Sequence, residues 1–135
     1  MRIHWFRVLL GGLLIEVVLA IVLLGGFALA GVDLAAGIST VSAVIIGVGC
    51  FVAALLVVLW LCRRLESHLV LHGFLMGLVA TLIYVGLVAG SGQMSSALAA
   101  YGPVTFVTLN AIRLVGAIFG GIVCARRGAV RPAML

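Results

Sequence analysis

Apolar residues run along this chain in four long blocks, and polar residues fall almost entirely between them. The blocks extend from Phe6 to Ala30, Ser39 to Cys62, Leu69 to Ala89 and Val104 to Ala125. Each can cross a bilayer as a helix, which takes roughly 20 residues at about 1.5 Å of rise apiece. They are apolar all round instead of striped, as a helix flanked by lipid and other helices must be. The pattern therefore predicts an all-α fold. We expect an integral membrane four-helix bundle with short loops, formed by residues 1–135 as a single transmembrane domain.

The interruptions have local causes. Gly31-Val32-Asp33 breaks the first helix and places a charge in the first loop. Arg63-Arg64-Leu65-Glu66-Ser67 is a tight polar turn, and Gly90-Ser91-Gly92-Gln93 ends the third helix. Tyr101-Gly102-Pro103 opens the fourth, where the missing N–H of a first-turn proline costs nothing. Residues 94–100, Met-Ser-Ser-Ala-Leu-Ala-Ala, suggest a short interfacial helix.

Composition removes the soluble classes. The chain is 66% hydrophobic and 8% charged, against roughly 25% charged in globular chains, so too few polar residues remain for a solvated shell. A net charge of +5 would ordinarily suggest nucleic acid. Here all eight basic residues are arginines clustered beside apolar runs, as membrane anchors are, so nucleic-acid binding is excluded. Phosphate-cradling GxxxxGK[ST] and nucleophilic GxSxG motifs do not occur. No CxxC pair joins Cys50, Cys62 or Cys124, so no metal site, cofactor or catalytic residue is expected and the chain reads as a non-enzyme.

Arginine placement sets an expected orientation. Arg2 and Arg7 precede the first block, Arg63 and Arg64 follow the second, and Arg126, Arg127 and Arg131 follow the fourth. A four-pass chain brings these seven to one side, and the positive-inside rule makes that side cytoplasmic, with both termini. The expected location is a bacterial cytoplasmic membrane. Ala28-Leu29-Ala30 has the small-x-small form of a signal-peptidase site. The apolar run before it exceeds the usual 7–15 residues of a signal core and contains Glu16, so cleavage is not expected.

The two halves share weak features. Gly12 matches Gly73, and Cys62-Arg63-Arg64 matches Cys124-Ala125-Arg126-Arg127. A duplicated hairpin would be parallel, with a pseudo-twofold along the membrane normal and helix one opposite helix three.

Glu16 and Arg113 are the charges that orientation leaves unexplained. A charge at mid-helix costs at least ~2.5–3.5 kcal/mol on insertion scales, so such residues pair or line water. Helix rise puts Glu16 about 14 Å and Arg113 about 20 Å from the basic edge, within reach of each other. Asn110, one turn from Arg113, is placed to bond either partner. The pair serves either to lock helix register or as a midplane site for an ion, proton or anionic ligand. Thr81 and Tyr84 can add hydroxyls to a polar core, or pack and bond locally as such residues usually do in a membrane, and Gly77 at similar depth suggests a cavity.

His68 and His72 share a helix face at the basic end, with His4 at the same depth. They read as interfacial histidines, with His4 and His72 as the alternative axial pair for a haem. Gly73 and Gly77, Gly86 and Gly90, and Gly116 and Gly120 form small-xxx-small motifs, and Gly121 extends a second stripe, all suited to close helix packing. Trp5, Phe6, Trp60 and Tyr101 fall at span ends as interfacial anchors.

The function this favours is a non-catalytic membrane subunit or scaffold packing against partner helices. The alternative is a small oligomeric transporter or channel using Glu16, Asn110 and Arg113. A second alternative is a cofactor-binding membrane protein using His4, His68 and His72. Expected partners are the lipid bilayer and a partner membrane protein or second copy of the chain.

Overall fold

The computed structural model describes residues 3–31, 39–63, 65 and 68–129. Among them are five helices: α1 Trp5–Ala30, α2 Thr40–Cys62, α3 Leu69–Gly90, α4 Met94–Tyr101 and α5 Pro103–Ala129. Four of these, all but α4, are long and apolar enough to cross a membrane, and they mark a small integral membrane protein. The fifth, α4, is the short helix suggested at residues 94–100: residues 94–101 close into two turns of their own beside the four spans.

Helix ends follow the local chemistry. Ser39 caps α2, its Oγ accepting from the Ser42 N–H at 3.2 Å while the Ser42 hydroxyl donates to the Ser39 carbonyl at 2.8 Å. Gly31 ends α1 in the left-handed conformation, and Pro103 occupies the first position of α5. The residues 28–30 are the last turn of α1. Asp33, Glu66, Arg2, Arg64 and Arg131 lie outside the described residues.

One end of the bundle gathers the described basic residues other than Arg113. The His4 N–H donates to His72 Nε2 at 3.3 Å, which sets the start of α1 beside the start of α3. Cys62 Sγ lies 4.0 Å from the Leu69 carbonyl, and Gly121 backs onto Leu69, so α2 and α5 finish there too. Arg7, Arg63, Arg126 and Arg127 are therefore at this end, and α4 is at the other.

Around the bundle the order is α1, α2, α5, α3, with α1 and α5 on one diagonal and α2 and α3 on the other. Helix one thus packs beside helix three. A twofold along the bundle would set them diagonally apart, so the resemblance between the halves is not matched by that placement. Glycines make the close seams. A β-carbon on Gly73 would lie 2.5 Å from the Ala117 carbonyl oxygen, and one on Gly121 would lie 2.7 Å from that of Leu69. On the α2 seam, Gly116 would meet the Phe51 carbonyl oxygen at 2.6 Å, and Gly120 would meet Val58 at 3.0 Å. Backbone approach of this kind supplies van der Waals contact where lipid gives no hydrophobic drive between helices.

Candidate functional site

Arg113 projects from the middle of α5 into the bundle and is 3% exposed. Its Nη1 donates to Glu16 Oε1 across the diagonal at 2.6 Å. The backbones of α1 and α5 stay apart, so a long side chain closes the gap. Nη1 also approaches the Ala80 carbonyl of α3 at 3.5 Å, and Nη2 lies 4.0 Å from Cys50 Sγ of α2. The guanidinium carbon stands 5.0 Å from the centre of the Tyr84 ring, a cation–π distance. One cation of α5 thus touches each of the other three spanning helices. The Glu16 pairing is the one expected from the sequence, whereas Tyr84, expected at most to offer a hydroxyl, meets Arg113 through its ring. Cys50 and the Ala80 carbonyl were not visible in it, because neither residue type signals a polar role in an apolar run.

Asn110 differs from expectation. Its Nδ2 donates to the Phe106 carbonyl of its own helix at 2.8 Å, so it bonds neither Glu16 nor Arg113. That bond leaves Asn110 Oδ1 buried with no protein partner, and Arg113 Nε is in the same condition. An orphaned buried polar atom costs about 1–3 kcal/mol. Both residues border a cavity of about 90 Å³, together with Cys50, Tyr84, Tyr101 and Phe106. Tyr101 lines it from the end of α4, and burial pushes its phenol above the ordinary range. The expected cavity at Gly77 is filled instead: a β-carbon there would lie 2.8 Å from Ala117 Cβ and 3.1 Å from Leu114.

Between the ion pair and the basic end the core is packed. Ile15, Met76, Val58 and Ala117 are fully buried there, with Leu61 and Cys62 beside them.

The histidines form a separate cluster. His72 is completely buried. Its Nδ1–H donates to the His68 carbonyl at 3.0 Å, and its Nε2 accepts the His4 N–H at 3.3 Å. Both ring nitrogens therefore have protein partners, so His72 presents no lone pair to a haem iron in this arrangement. His4 and His68 are exposed at the same end, as interfacial side chains are. His68 caps α3 with φ 54°, a left-handed conformation in which His is over-represented among non-glycine residues.

The small-residue motifs divide in two. Gly73, Gly77, Gly116, Gly120 and Gly121 are used inside the bundle. Gly86 and Gly90, on the outer half of α3, are exposed, with nothing within 4 Å of an added β-carbon. Leu82 and Leu87 nearby are 62% and 67% exposed. Compared with protein-family models, with curated proteins and with solved structures, the chain matches none.

Proposed function

We propose that this protein is a non-catalytic membrane subunit or scaffold that holds partner helices, or a second copy of itself, against its outer faces. The observation that carries this reading is the unused Gly86-xxx-Gly90 motif, which leaves a close-approach surface on α3 open. The Glu16–Arg113 bond supports it as a register lock. So does the packed apolar core between that pair and the basic end, which is suited to rigidity rather than passage. The proposed setting is a bacterial cytoplasmic membrane with both termini in the cytoplasm, from the arginines gathered at one end.

The small transporter remains the second reading, favoured by one observation: the cavity beside Asn110 and Arg113. The cofactor reading loses its main support because both His72 nitrogens are engaged.

Chromatography of the tagged protein, extracted from its native membrane in mild detergent, tests the scaffold. The wild type should run as a complex larger than one chain, and Gly86→Leu should shift it toward the monomer. A wild type that is monomeric in mild detergent and in native lipid discs sinks the proposal.

A further inference from the structure

We infer that the cavity bounded by Tyr84, Tyr101, Asn110 and Arg113 is a hydrated site for small neutral hydrogen-bonding molecules, water first among them, with α4 as its lid. This goes beyond the scaffold reading and does not depend on it.

The chemistry of the walls selects the guest. Arg113 has its charge answered by Glu16 at 2.6 Å, so the pocket is not a dedicated anion site. What remains unmatched is one donor, Arg113 Nε–H, and one acceptor, Asn110 Oδ1. The acceptor is held in that role because Nδ2 of the same amide is committed to Phe106. A guest that both donates and accepts can answer either atom, and water is the smallest such molecule. A volume of about 90 Å³ exceeds the roughly 10–15 Å³ that one water needs, so the site accepts a few waters or one small solute.

The cavity reaches from Tyr101, at the α4 end, to Arg113. On α5 that is ten residues of rise from Pro103, or about 15 Å. Gly92 and Gly102 flank α4, each with φ 72°. Gly102, with ψ 149°, lies in a region that is essentially closed to other residues. Two glycine joints at the ends of an eight-residue helix let it move as a unit. Tyr101 is the residue of α4 that lines the cavity, so displacing α4 removes that part of the wall.

Cys50 is a built-in reporter, since it lines the cavity and is 2% exposed. Thiosulfonates react with thiolates, and a thiolate forms where water reaches the sulfur. The full-length protein in lipid discs is treated with methyl methanethiosulfonate, and the Cys50 adduct is timed by mass spectrometry of its peptide. Cys50 should react in the folded wild type. Tyr101→Ala should accelerate the reaction at least tenfold. Asn110→Leu, which fills the pocket and removes its acceptor, should slow it at least tenfold. Circular dichroism confirms folding of each variant, and the Tyr101 arm decides alone if Asn110→Leu misfolds. Rates within twofold of wild type for Tyr101→Ala overturn the lid. A Cys50 that reacts only after unfolding in dodecyl sulfate, in wild type and Tyr101→Ala alike, overturns the hydrated site.

Discussion

Arg113 Nη1 lies 2.6 Å from Glu16 Oε1, although the helices that bear them face each other across a diagonal of the bundle. Adjacent helices can be held by backbone approach, but diagonal ones need side chains long enough to cross the core. This bond ties α1 to α5, and the same guanidinium reaches α2 and α3 through Cys50 and Ala80. Removing one partner strands the other charge in an apolar interior. Glu16→Gln or Arg113→Gln alone should therefore destabilise the fold by about 3–5 kcal/mol, the cost of breaking a buried pair. The double variant should recover most of that. Denaturant unfolding in mixed micelles measures all three, and single variants that unfold like wild type but no longer run in the larger complex would make the pair functional instead.

The glycines should separate cleanly by position. Gly73→Leu drives a branched side chain into the Ala117 carbonyl and should cost at least about 2 kcal/mol. Gly86→Leu meets open space and should change monomer stability by less than about 0.5 kcal/mol. Thermal unfolding of the two purified variants gives the comparison. Equal losses would mean that α3 does not present the faces described.

His72 joins the starts of α1 and α3, and it is fully buried. His72→Ala leaves the His4 N–H without its acceptor and opens a void, for an expected loss of about 2 kcal/mol or more. His68→Gly should go the other way. It removes the strain of φ 54° and should stabilise by up to about 1 kcal/mol. A loss of stability in His68→Gly would show that the imidazole has a role beyond its backbone conformation.

Orientation is testable at the end that bears α4. Ser91 follows α3 and is exposed. In a background without native cysteines, Ser91→Cys should react with an impermeant maleimide added to intact cells. Labelling only after permeabilisation would reverse the proposed topology.

Span positions were legible in the sequence because a bilayer imposes one coarse requirement, about 20 apolar residues in a row. The blocks ending at Ala30, Cys62 and Ala89 finish within one residue of α1, α2 and α3. Glu16 and Arg113 were legible for the converse reason, since a charge in such a run must be matched. The partner of Asn110 is not legible, because a helical asparagine can bond its own preceding turn as readily as a neighbour, and it does so at Phe106. Spacing along the chain does not distinguish these choices.

By itself, then, the amino-acid order determined the spans, the arginine-bearing end and the two residues that must find each other. These follow from transfer of single side chains into hydrocarbon, a property each residue has alone. Tertiary structure alone decided the rest: α1 sits beside α3, Gly73 and Gly121 face inward while Gly86 and Gly90 face out, and Tyr101 lines a cavity with Asn110 and Arg113. Those are relations between helix faces. An all-round apolar helix carries no stripe to say which face turns inward, so only the fit of backbone against backbone could choose.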